Sequence, residues 1–135
     1  RILPPLMAVV AVSFFVGAAL HLGLRVDVGA TVLAEPRILV AAVVETACGV
    51  AMAVGAVGLA AGLPWGRAGA LAGHLVALAG TALGIVANAF GPGPGSALND
   101  AYHRVVVVAL LVGLALLWRS GVDSRGGWRG DPVGP

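Results

Sequence analysis

Four long apolar runs, each bounded by Gly, Pro or Arg, leave this chain few ways to fold. A hydrocarbon layer about 30 Å thick is crossed by roughly 20 apolar residues of helix at 1.5 Å per residue. The runs, at 3–24, 36–61, 68–90 and 97–118, all reach that length. With 135 residues, 59% hydrophobic and 10% charged, and a mean hydropathy of +1.00, the chain has room for four spans and short connections. The reading is all-α: a polytopic membrane protein in a lipid bilayer, with a four-transmembrane-helix bundle over 1–119 and a polar, cytoplasmic tail over 120–135.

The punctuation fits. Pro4 and Pro5 open the first run in positions where a helix tolerates proline, and the run is too long for the apolar part of a secretion leader, so it is read as a true span. Numbering starts at Arg1 rather than Met, from which a preceding segment is expected. Arg25, Asp27, Gly29 and Thr31 interrupt the pattern as a short loop, and Glu35 and Pro36 are expected in the first turn of the second span. Gly62, Pro64 and Gly66 close that span, and Trp65 and Arg67 mark an interface. The run from Gly91 to Gly95 cannot continue a helix, and Ser96 is placed to cap the fourth. Glycines recur four apart at Gly58 and Gly62, Gly69 and Gly73, and Gly80 and Gly84, a spacing that lets membrane helices approach closely.

All eight basic residues are Arg, a bias of GC-rich bacterial genomes. Arg1, Arg67, Arg119, Arg125 and Arg129 fall on the side of the two termini, against Arg25, Arg37 and Arg104 on the other. The excess of positive charge on cytoplasmic loops then puts both termini in the cytoplasm of a bacterial cytoplasmic membrane. A net charge of +2 and a pI near 9.5 do not indicate nucleic acid, because the arginines are scattered at helix ends. The single cysteine, Cys48, excludes an intrachain disulfide and reads as a small core residue. No phosphate loop, nucleophile elbow, paired-cysteine set or dinucleotide fingerprint is present.

What chemistry the chain has must lie in its intramembrane polar groups, each of which costs about 2.5–3.5 kcal/mol to insert. His21, Glu45, His74 and His103 fall one to a span. Aligning the spans by midpoint puts His21 about 10 Å, His103 about 7 Å and Glu45 about 5 Å toward one face. His74, Thr81 and Asn88 are seven apart and form a polar stripe, a candidate cofactor-binding face or the wall of a solute path. Ser13, Gly17, His21 and Arg25 share another face, and Asn99 and His103 a third, with Tyr102 beside them. Four uses are open. His21, Glu45 and His103 match the donor set of a transition-metal site. His21 and His103 could hold haem b from opposite sides. Glu45 could carry protons or meet a quinone, with the histidines as relay. Glu45 could also simply hydrogen-bond a His or Asn across the helices and hold them in register.

From Pro36 through Val43, Val44, Glu45, Gly49 and Gly55 to Arg67, Ala68 and Ala70 the pattern resembles the second and third spans of the DoxX-like family, small four-helix membrane proteins. The most specific element is Glu45 with Gly49. The resemblance covers about half the chain and implies a redox accessory role, since relatives form a subunit of thiosulfate:quinone oxidoreductase and others accompany oxidative-stress enzymes. His21, His74 and His103 match no motif of that family.

The expected function is therefore a redox-associated membrane subunit handling protons, quinone or a bound metal for a membrane redox partner, with Glu45, His21 and His103 as its working residues. The alternatives are a small-solute or ion carrier along the His74, Thr81 and Asn88 stripe, which in four helices favours a homo-oligomer, and a structural subunit without chemistry.

Overall fold

In apolar surroundings each span must satisfy its own backbone hydrogen bonds, and the runs do so as helices. A computed structural model describes residues 2–91 and 96–126, side chains to 120. The order is α1 (Leu3–His21), a hairpin of β1 (Val26–Val28) and β2 (Thr31–Leu33), then α2 (Leu39–Ala60), α3 (Gly66–Phe90) and α4 (Ala97–Gly126). All four helices are long and apolar enough to cross a membrane. The loop expected at 92–95 and the tail from 127 onward lie outside the described residues.

The first two helices end in the same way. The Leu24 amide bonds the Ala19 carbonyl and the Gly23 amide that of Leu20, while Leu63 and Gly62 do the same to Gly58 and Leu59. This closure needs a left-handed residue just past the helix, supplied by Gly23 (φ 104°) and Gly62 (φ 64°). The first span accordingly stops at His21 rather than at residue 24.

The second span begins at Leu39, three residues later than expected. The Ile38 amide bonds the His21 carbonyl, and the Pro36 carbonyl accepts from the His21 ring, so the chain runs extended across the end of α1. Glu35 and Pro36 are thus in the connector, not in a first helical turn. The expected plain loop before them contains an antiparallel hairpin pairing Val26 with Leu33 and Val28 with Thr31. The third helix starts at Gly66, two residues before the expected 68.

The α4 helix continues to Gly126, well into what the sequence suggested was tail. Polarity at Arg119 and Ser120 marks where an apolar solvent ends, not where helical hydrogen bonding ends. At that level the Arg67 guanidinium donates to the Ser120 hydroxyl (3.2 Å), tying the start of α3 to α4.

The helices form a ring in which α2 packs along both α1 and α3, while α4 closes the circle more sparsely against α3 and α1. Antiparallel order places both described ends of the chain at one end of the bundle and the hairpin connector at the other, here termed the connector end. Only 28–39% of each span is buried although every span is apolar throughout, so the outward faces suit hydrocarbon rather than water. Met7, Phe14, Met52 and Leu110 fill the centre. Phe14 of α1 meets Tyr102 of α4 edge-on, with ring centroids 6.3 Å apart.

The α2–α3 contact is a backbone approach. A Cβ on Gly66 would collide with the Gly58 carbonyl, one on Gly73 with that of Ala51, and one on Gly55 with the backbone of Gly69 and Ala70. The expected four-residue pairs do not each form one seam: Gly62 serves a turn, and Gly80 and Gly84 face different helices. Since backbone cannot step aside as a side chain can, Gly66→Ala is expected to destabilise the bundle by about 1–3 kcal/mol. Ala72→Leu, on an exposed face, should change stability by less than about 0.5 kcal/mol. Reversible unfolding in mixed micelles measures both.

Candidate functional site

At the end away from the connector α2 and α3 are zipped by glycine contacts, and the zip ends at Gly80, which faces Cys48 and Val44 of α2. One turn further on, Gly84 faces His103 of α4 instead. The helices part there, and a cavity of about 400 Å³ occupies the gap at the connector end. Its wall is mostly apolar, with Val40, Ala41 and Val44 from α2 and Leu83 and Ala87 from α3. Val40 and Leu83 are also largely exposed on the outside of the bundle.

Into this apolar space come His21 from α1, Glu45 from α2, Asn88 from α3, Asn99 and His103 from α4, and Glu35 from the connector. Both glutamates of the chain are therefore on one cavity. The His21 Nδ1 lies 2.9 Å from the Pro36 carbonyl, which can only accept, so the Nδ1–H donates to it. Ser96 performs two tasks: its hydroxyl accepts from the Asn99 amide (3.2 Å), capping α4 as expected, and donates to Glu35 Oε1 (2.8 Å).

Glu45 and His103 are seated in the same fashion. The Glu45 carboxyl fills the space that a Cβ on Gly17 would need, and the His103 imidazole fills that of Gly84. Glycine on the facing helix makes room for each polar group inside the bundle.

Three buried side-chain atoms have no hydrogen-bond partner among the described residues: Glu35 Oε2, Glu45 Oε2 and His103 Nδ1. The Asn99 carbonyl is close to His103 Nδ1, but outside hydrogen-bond geometry. All three residues line the one cavity. Buried polar atoms are normally paired, so their concentration here marks a place prepared for something else.

The polar stripe divides. His74 is only 1% exposed, its Nδ1 donates to the Ala70 carbonyl (2.8 Å), and its ring sits against Gly113. Thr81, equally buried, returns its hydroxyl to the Ala77 carbonyl (2.7 Å). Neither lines the cavity, and of the three only Asn88 reaches it. The redox reading of the sequence expects His21, Glu45 and His103 to meet, and all three line this cavity. It missed Glu35 as a site residue, reading it as a helix-start acid. It also missed the seating role of Gly17 and Gly84. The usable signal was that both glutamates flank the start of one span while the aspartates lie elsewhere.

The metal arrangement does not fit these positions. Among the described residues no three His, Cys, Asp or Glu side chains gather closely enough to hold one ion. Haem fits no better, because the His103 Nε2 is turned onto the backbone of Gly84 rather than toward a facing histidine.

Comparison with family models, curated proteins and solved structures finds no match to this chain. The fold defines its class, a multi-pass four-helix membrane protein. An unpaired carboxyl oxygen inside such a bundle lowers its stability, and Glu45→Leu, which removes it, is expected to raise the unfolding free energy by about 1–3 kcal/mol. Denaturation of the two proteins side by side measures the gain; a loss would show that Glu45 is held by bonds of its own.

Proposed function

We propose that the protein is a redox-associated membrane subunit whose cavity binds a quinone or quinol, with Glu45 exchanging a proton with it. The observation that carries this reading is the meeting of three unpartnered buried polar atoms on a cavity that is otherwise apolar. Lipid-soluble ligands with a polar head need that combination of apolar wall and few convergent polar groups. A quinol offers two hydroxyl donors on a flat apolar ring. Glu35 and Glu45 offer two acceptor oxygens, and His103 Nδ1 can take either role. When the quinol is oxidised its two hydroxyl protons must leave, and Glu45 is the buried group placed to receive them one after the other, giving up the first before the second arrives. The two electrons pass to the partner protein.

Other features point the same way. Val40 and Leu83, exposed outside and lining the cavity within, suit entry from the bilayer. The resemblance around Glu45 and Gly49 to a family that includes a quinone-linked oxidoreductase subunit supports the same ligand class. With both termini in the cytoplasm of a bacterial membrane, the cavity belongs to the opposite leaflet. The register-holding role calls for a hydrogen bond from Glu45 to another helix, and its buried Oε2 has no partner among the described residues. The carrier role calls for an open path past His74, which is tightly buried.

The test is calorimetric titration of the protein in lipid nanodiscs with short-chain ubiquinone and menaquinone analogues, oxidised and reduced. Glu45→Gln should weaken quinol binding by about tenfold or more, equivalent to about 1.4 kcal/mol. His74→Leu should leave affinity unchanged while lowering stability. No binding of any analogue, or equal binding by wild type and folded Glu45→Gln, would rule the reading out.

A further inference from the structure

Glu35 has a position that no other residue of the site has. Besides lining the cavity with Glu45, it lines a second depression of about 150 Å³ at the connector end, whose other walls are Gly23, Leu24, Arg25, Ala34 and Arg37. It is the one residue common to the two linings. The depression is at the surface: Arg25 and Arg37 are exposed, and the Arg37 guanidinium lies over Gly23, in space that any side chain there would occupy. The Glu35 carboxyl is itself divided, with Oε1 held by the Ser96 hydroxyl and Oε2 buried without a partner.

A proton leaving a buried carboxyl needs a chain of groups that can each accept and release it, ending at water. The remaining titratable and charged groups around Glu35 do not complete such a chain. His21 from α1 and Asp100 of α4 do not line the smaller depression, and Asp100 pairs with Arg104 (2.8 Å) on the exposed side. His103 is packed on Gly84, α3 contributes only the uncharged Asn88, and the Arg25 and Arg37 guanidiniums have no acceptor to offer. Glu45 from α2 is the buried partner.

We infer that Glu35 is the proton-exchange residue between the buried Glu45 and water at the connector end, the free Oε2 being the atom that takes the proton. This rests on the reading that Glu45 exchanges protons. In the step, the O–H bond of protonated Glu45 breaks and one forms on Glu35, through a bound hydroxyl or a water in the cavity. Glu35 then releases the proton to water in the smaller depression, and no electrons move. Ser96 holds Oε1 and leaves Oε2 as the free oxygen, so the transfer itself does not depend on the clasp.

Time-resolved infrared spectroscopy after a pH jump tests this without any quinone. The carboxyl stretch of Glu45 is assigned by its loss in Glu45→Gln, in protein reconstituted in nanodiscs. Glu35→Gln is expected to slow the re-equilibration of that band by about tenfold or more, and Glu35→Asp to restore most of the rate. Ser96→Ala, which leaves the carboxyl but removes its clasp, should stay within about threefold of wild type. Thermal unfolding shows which variants are folded, and Glu35→Ala replaces Glu35→Gln if the latter is not. Equal rates in wild type and the folded Glu35 variants overturn the assignment. So does a Ser96→Ala protein as slow as Glu35→Gln, since Glu35 then acts only as a clasp. A wild-type Glu45 band that does not respond to pH removes the proton-exchange reading itself, and this inference with it.

Discussion

Inside a hydrocarbon layer nothing but the chain itself can satisfy a polar atom, and the rest of this structure follows from that constraint. The backbone meets it by forming helices and by closing α1 and α2 with glycine turns that use up their last carbonyls. Thr46, His74 and Thr81 meet it by bonding carbonyls one turn earlier in their own helices. Where buried polar side-chain atoms are nevertheless left unpaired among the described residues, they belong to residues gathered on a single cavity.

The same constraint explains why glycine does so much of the packing. Close approach of α2 to α3 replaces absent hydrophobic driving force with dense van der Waals contact. The other use of glycine is to seat polar side chains: Glu45 on Gly17, His103 on Gly84 and His74 on Gly113. A polar group that fits against the backbone of the next helix stays off the lipid face without needing a large tunnel. His74 in its seat bonds the Ala70 carbonyl and belongs to the packed half away from the connector, whereas Glu45 and His103 in theirs border open space. Close packing and open cavity are thus separated along the bundle axis.

The connector end carries a different logic. Its chain is pinned by the His21 ring on the Pro36 carbonyl and by Ser96 on Glu35, bonds that join α1, the connector and α4 above the cavity. These hold Glu35 at the boundary between an apolar chamber and exposed arginines. A quinone site and a route for its protons would share that boundary, which is why the functional and the further reading converge on the same few residues.

Much of this was legible in the chain. The four spans, their approximate ends, Ser96 as a cap and the candidacy of His21, Glu45 and His103 follow from the length of apolar runs and from the cost of placing ionisable groups within them. Those are local properties that each segment carries wherever its neighbours lie. Uniformly apolar spans carry little information about which face turns inward, so the order of helices and the point where α2 parts from α3 could not be read from them. The division of the stripe between His74 and Asn88 was hidden for the same reason. Glu35 was misread because its role depends on a hydrogen bond 61 residues along the chain, to Ser96. Sequence alone determined that this chain lives in a membrane and which polar groups it takes there. Only the tertiary structure decided which of them are satisfied and which face a shared cavity, because that depends on the backbone of neighbouring helices and not on the residues themselves.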